Sequence, residues 1–317
     1  AVQVPALLRL GVRYEPILTV TQYGVGQVLR LMAPRLLGLS FSYFNRTALG
    51  IISQPLAGFA FTALTTSFQV MMVPVSFLGQ SLGIAAFPTL AGMAANDDDA
   101  GIRRLLNTAL RSIFFLGLPM TLGLMLIRQP LSALLFERGE FGPDSTVVVA
   151  AGLLFYALAI IPVAMLEVLA RTFYALKDTW TPVIAGFIQI LGMMGLGALF
   201  AYTLFPGLGL IAAAGLAFAF AVSNWVEVGV LIWLLRRRLQ RLELTHLLDG
   251  LWRMTVAVVG MGLVVWASLL ALAPFSPFIE VVIAAPLGAA AYFASAYLLR
   301  LEEVTQLIGV LLRRLRR

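Results

Sequence analysis

Long apolar runs decide what this chain can become. Eight stretches, at about residues 27–49, 59–83, 112–136, 146–171, 182–204, 208–235, 250–272 and 279–299, each match the roughly 20 apolar residues that cross a bilayer as helix. A barrel strand is shorter and alternates polar with apolar, whereas these runs are apolar on every side. Within lipid a helix satisfies its own backbone groups, so the expected fold class is an all-α polytopic membrane bundle. An even number of spans puts both ends of the chain on one side of the membrane. Composition agrees, with 61% hydrophobic residues and a mean hydropathy of +0.95.

Charge then orients the bundle. Nineteen of the 22 Lys and Arg residues fall in the opening segment, the second, fourth and sixth loops, or the C-terminal tail; only Arg46, Arg128 and Arg138 belong to the other side. Basic residues concentrate on the cytoplasmic side of membrane proteins, so both ends and the Arg236–Arg241 loop are expected in the cytoplasm. The net charge of +7 therefore reports topology and attraction to anionic membrane lipids, not nucleic acid, whose binding needs a concentrated basic face.

Chemistry is scarce. There is no cysteine, and the one histidine, His246, lies among charged residues between spans. No nucleophile–base set, metal-ligand cluster or phosphate-binding glycine loop is present, so neither enzyme activity nor a cofactor is expected. The opening, AVQVPALLRL, has no Met and lacks the charged head, apolar core and cleavage site of a signal peptide, which suggests the interior of a longer protein. Residues 1–26 read as a strip lying in the membrane interface or as a plain cytoplasmic linker.

Pro34, Pro74, Pro119 and Pro162 fall inside spans, where each removes a backbone hydrogen bond and favours a kink. Small residues four apart in the fifth and sixth spans let helices approach closely. Both suit a bundle that bends, as a transporter does. The echo between APRLLGLS and LPMTLGLM hints at duplication. A few polar side chains lie in the apolar runs: Asn45, Arg46, Gln69, Gln80, Gln189, Asn224, Glu167 and Glu227. The two glutamates are expected to reach toward nearby arginines, and the glutamines to bridge helices.

Four motifs go further. QPLSALLFERGEFGPDST, LGIAAFPTLAGMAANDD, RRLLNTALRSIFFLGLPMTLGL and ARTFYALKDTWTPV occur in this order over roughly residues 1–240. Together they resemble the MurJ/MviN lipid II flippases, in which an apolar helix ends in LLFERG-x-F and a later turn reads R-x-F-Y-A-L-x-D-T-x-T-P. The resemblance implies a fourteen-helix, V-shaped transporter of the multidrug/oligosaccharidyl-lipid/polysaccharide exporter superfamily in the bacterial inner membrane. This chain would supply helices seven to fourteen: a six-helix C-terminal lobe over 27–236, and two added helices with a basic tail over 237–317. Its partner would be the N-terminal lobe of the same protein. Its substrate would be lipid II, the undecaprenyl-pyrophosphate-linked peptidoglycan precursor, carried to the outer leaflet by alternating access. Within the motifs Glu137, Arg138, Gly139, Arg171, Asp178, Thr181 and Pro182 are expected to be structural, with Glu137, Arg138, Glu140 and Asp144 pairing or capping and Asp144 or Ser145 starting a helix.

Departures from the family pattern bear on the site. Gln69 stands where members commonly carry a cavity Arg. Positions of the family's sodium site align with Leu49, Met193 and Gly197, so that site is expected to be lost and the coupling ion is left open. The substrate-cavity candidates are Arg46, Asn45, Gln69 and Gln189, with Arg46 supplying a substitute cation. The altered cavity also admits an exporter of another lipid-linked oligosaccharide or amphiphile, or a membrane scaffold that no longer transports.

Overall fold

A computed structural model of the chain describes residues 43–56, 58–139, 141–239, 245–301, 303 and 304, with residues 26 and 36. Pro34, Glu140, the His246 side chain, most of the lead-in segment and the LLRRLRR tail lie outside the described residues. Among the described residues all regular structure is helical. Residues 43–53 form α1, the end of the first expected span. Seven further helices are long and apolar enough to cross a membrane: α2 (Ala60–Ala95), α3 (Asp99–Phe136), α4 (Pro143–Ala175), α5 (Trp180–Gly207), α6 (Ala212–Arg238), α7 (Thr245–Leu272) and α8 (Pro277–Leu298). The chain is a multi-pass membrane protein.

Helices α2 and α3 outrun the expected spans. Asn96 to Asp98 make a tight turn between them, with Asp97 at φ +53 and the Asp98 carboxylate accepting the Gly101 N–H at 2.8 Å. That cap starts α3 at Asp99, so the amphipathic RRLLNTALRS stretch is its first turns.

The in-helix prolines are answered in three ways. A five-residue π turn, Ser76–Gln80, follows Pro74 in α2. In α4 a 3₁₀ turn, Ala157–Ala159, precedes Pro162. Proline lacks an N–H, so the carbonyl four residues earlier loses its donor. For Pro162 that carbonyl belongs to Leu158, and the Trp225 indole of α6 donates to it at 3.1 Å. For Pro119 it belongs to Phe115, and the Tyr292 hydroxyl of α8 donates to it at 2.5 Å. At these two prolines neighbouring helices re-satisfy the freed groups, as a membrane interior demands.

Two cores result. The larger joins α2 to α6 around Leu64, Met71, Leu110, Leu153, Ile160 and Leu169. At its centre Phe68, Tyr156 and Phe220 stack edge to face with centroids 5.5–5.7 Å apart. Small residues set the helix spacing: a Cβ at Gly79 would lie 2.8 Å from Ala164 Cα, and one at Gly215 would lie 2.9 Å from the Phe200 carbonyl carbon. The second core holds α7 and α8 on α3 through Phe115, Met254, Ala257, Met261, Ala284 and Tyr292.

Candidate functional site

A cleft of about 760 Å³ opens between α1 and the start of α2. Tyr43, Arg46 and Thr47 line it from α1, with Gln54 and Phe61 beyond. Arg46 is exposed, and Asn45 beside it is half-buried. The C-terminal end of α1 is fixed from two directions. Ser53 Oγ donates to the Gly50 carbonyl at 3.2 Å, and the Tyr202 hydroxyl donates to the Ile52 carbonyl at 2.5 Å. Tyr202 sits in a π turn of α5, Phe200–Leu204, so that distortion is what presents it. A single guanidinium in so open a cleft attracts anions, and its fork of donors suits phosphate oxygens.

Along α2 one stripe is left uncovered. Gln69 is exposed on it, followed one and two turns on by Val73 and Phe77, 70% and 69% exposed. Val73, Pro74 and Phe77 then form one wall of an apolar groove of about 580 Å³, closed by Pro119 and Gly123 of α3, Val265 of α7 and Gly288 of α8. Phe61 at the cleft and Val73 at the groove are twelve positions apart, about 18 Å along a helix.

Gln189 lies elsewhere. It is 8% exposed, on the face of α5 packed against α6, and its Nε2 has no partner. The structure therefore brings Arg46 into a cleft and Gln69 onto an open face but leaves Gln189 apart from both. Glu167 and Glu227 part company too. Glu167 accepts from Arg171 Nη1 at 2.5 Å, as expected. Glu227 has no ion pair among the described residues, because the arginines of its own helix, Arg236 to Arg238, lie more than two turns away.

The motif residues hold turns and helix ends through local contacts. Arg171 also donates to the Glu167 carbonyl at 2.7 Å, and its guanidinium lies against Gly83, where a Cβ would meet Cζ at 2.9 Å. With Glu167, Tyr174 and Lys177 it lines a cleft of about 860 Å³ between α2, α4 and α5. Asp178 accepts from the Thr181 N–H at 3.1 Å and the Thr181 hydroxyl at 2.8 Å, capping α5, while Pro182 is buried in its first turn. Arg238 reaches Asp178 at 3.3 Å and the Leu176 carbonyl at 3.0 Å, tying this turn to the end of α6.

At the other corner Glu137 accepts from the Thr146 hydroxyl at 3.2 Å, and Gly139 takes φ +62, a left-handed turn that glycine adopts without strain. Two expectations change here. Among the described residues Glu137 and Arg138 form no ion pair; Arg138 reaches only the Leu134 carbonyl, at 3.5 Å. Helix α4 begins at Pro143, one residue ahead of Asp144, because a proline at the first helical position has its φ already set.

Sequence reasoning missed Tyr202, Trp225 and Tyr292 as cross-helix donors. Counting four residues back from Pro119 and Pro162 would have named the carbonyls, though not the residues that answer them.

Comparison with known proteins follows the geometry. The family model described as lipid II flippase MurJ matches residues 1–285. The chain is 29% identical over 229 residues to the probable lipid II flippase MurJ of Vibrio cholerae serotype O1, covering 72% of this chain and 42% of that protein. It is 26% identical over 277 residues to the probable lipid II flippase MurJ of Haemophilus influenzae, covering 83% and 51%. It thus spans about half the length of the curated relatives it matches. Among solved structures, a lipid II flippase MurJ in an inward closed conformation superposes with a TM-score of 0.69 at 18% identity, covering 98% of this chain and 59% of that one. That likeness is one of fold.

Proposed function

The chain belongs to the lipid II flippase MurJ family, and from that premise we propose that it forms the C-terminal lobe of a transporter that carries lipid II from the inner to the outer leaflet. Residues 27–236 make that lobe, 237–317 add two helices and a basic tail, and an N-terminal lobe completes the cavity. Both ends of the chain face the cytoplasm, where the basic residues meet anionic lipid.

The observation that carries the reading is the pairing of a cationic cleft with an apolar groove along α2. Their separation of about 18 Å is a little over half the roughly 30 Å hydrocarbon thickness. A polyprenyl pyrophosphate needs both: Arg46 for the phosphate oxygens, and the walls at Val73 and Phe77 for the chain. The family's sodium ligands are replaced, since Leu49, Met193 and Gly197 offer no side-chain oxygen. Gln69 in place of a cation favours a second reading, transport of another lipid-linked oligosaccharide.

The test is complementation of a flippase-depleted bacterium by the complete gene, scored by lipid II reaching the outer leaflet. Rescue is expected, and Arg46→Ala should abolish most of it. Rescue by neither version would sink the lipid II reading. Equal rescue by both would remove Arg46 from the site.

A further inference from the structure

Glu227 lies near the middle of α6, half-buried, where a carboxylate is costly to hold. Three contacts fix the register of α6 against α5. A Cβ at Gly192 would touch Ser223 Oγ at 3.7 Å, one at Gly197 would meet Leu216 at 3.0 Å, and one at Gly215 would meet Ala201 N at 3.0 Å. The two helices run antiparallel, so one turn from the Gly192–Ser223 contact brings Gln189 and Glu227 to the same level.

That level holds unmet hydrogen-bonding capacity. Gln189 Nε2 and Ser223 Oγ are buried without partners, in residues 8% and 3% exposed. Two donors buried without a partner at the level of a carboxylate are costly in a membrane unless something changes there. Asn224 is already committed, its Nδ2 donating to the Phe220 carbonyl at 2.8 Å.

We propose that Glu227, flanked by Gln189 and Ser223, is a proton-binding site inside the membrane. An amide and a hydroxyl can each donate to a carboxylate and accept from a carboxylic acid, so the pair can hold either form. An arginine could hold only one. A metal ion fits poorly, since it wants several oxygen ligands and the unmatched atoms here include an N–H donor. On α3, which meets α6 at Phe114 and Trp225 and through Arg103 on the Leu239 carbonyl, the charged residues of that half are Asp99, Arg103, Arg104 and Arg111, the last paired with Glu303. The described part of α5 carries no charged residue, and neither does α2. On α4 the Glu167 carboxylate is paired with Arg171. On α6 the arginines begin at Arg236. Of α1, Arg46 belongs to the opposite end, and Arg30 and Arg35 lie outside the described residues.

The link to transport rests on the carrier reading of the previous section, but the protonation does not. The complete protein in liposomes, studied by infrared difference spectroscopy as pH is stepped from about 9 to about 5, should show the carbonyl band of a protonated buried carboxyl. Glu227→Gln should lose that band, while Gln189→Leu and Ser223→Ala should shift it. Superimposable native and Glu227→Gln spectra at every pH would overturn the site, and so would the permanent ionisation that an arginine partner would impose.

The second arm measures lipid II flipping in the same liposomes. Loss of its pH dependence in Glu227→Gln ties the proton to transport. A band that titrates while flipping ignores both pH and the substitution overturns that tie alone. Native protein that flips nothing, with the band intact, sinks the carrier reading and leaves the proton site standing.

Discussion

The most apolar stretch of α4 is 61% buried within the protein, whereas those of α7 and α8 are each 22% buried. Both regions are apolar enough by sequence to cross a membrane, with mean hydropathies of 2.5 for α4, 2.2 for α7 and 1.7 for α8, yet one is a core and the other leaves most of its surface to lipid. The way they are fastened differs accordingly. Inside the lobe, backbones touch through glycine, as at Gly79 against Ala164 and Gly215 against Phe200. The α7–α8 pair is held to α3 mainly by side chains: Tyr292 on the Phe115 carbonyl, Glu303 on Arg111, and Leu122 against Gly262. Without a hydrophobic drive between helices in lipid, closeness of backbones and satisfaction of polar groups decide which contacts are firm. The lobe is therefore packed backbone to backbone at its closest points, while the pair rests on α3 through side chains.

Gly79→Ala presses hardest on this contrast. The new methyl would lie 2.8 Å from Ala164 Cα and 3.1 Å from its carbonyl oxygen, atoms that cannot rotate away. Moving α2 from α4 should cost about 2–3 kcal/mol, read as a lower Tm in detergent and loss of complementation. An unchanged Tm would show that the lobe yields at this contact.

Next come the two donors to proline-freed carbonyls. Tyr292→Phe keeps the ring and Trp225→Phe keeps an aromatic side chain, smaller than the indole, and each strands one carbonyl in the membrane, at about 1–2 kcal/mol. Their consequences should separate. Trp225 works within the lobe, so its loss should lower the Tm of the whole. Tyr292 joins the two regions, so its loss should weaken crosslinking between cysteines placed on α3 and α8 while the lobe's own crosslinks persist. If both variants fail in the same way, the pair is an integral part of the lobe.

How much of this was legible beforehand follows the same division. Apolar runs sufficed for the described helices, since span length is a property of single segments. The turns at Asp178 and Gly139 were readable from local chemistry. Helix ends at Ala95 and Asp99 were not, because amphipathic turns continue a helix beyond the hydropathy window. Gln189 was grouped with Arg46 and Gln69 on polarity alone. Its burial against α6 depends on the register set by Gly192, Gly197 and Gly215, which no single segment encodes. Glu227 was expected to find an arginine because arginines are near in sequence, but a helix carries them away in space.

The smallest predicted effect is the sharpest check on the contrast. Gly262→Ala places a methyl 2.8 Å from Leu122 Cδ2, the same separation as at Gly79. Here the obstacle is the tip of a flexible side chain, with Leu126 Cδ1 next at 3.8 Å. Leu122 is only half-buried, and the tip of its side chain can turn to another rotamer. The cost should stay within about 0.5 kcal/mol, with Tm and complementation close to native. Adding Leu122→Ala should remove what remains, since the two residues share one contact and their effects will not add. A drop in Tm matching that of Gly79→Ala would mean that α7 meets α3 as firmly as α2 meets α4, and that the fastening of the two regions does not differ in kind.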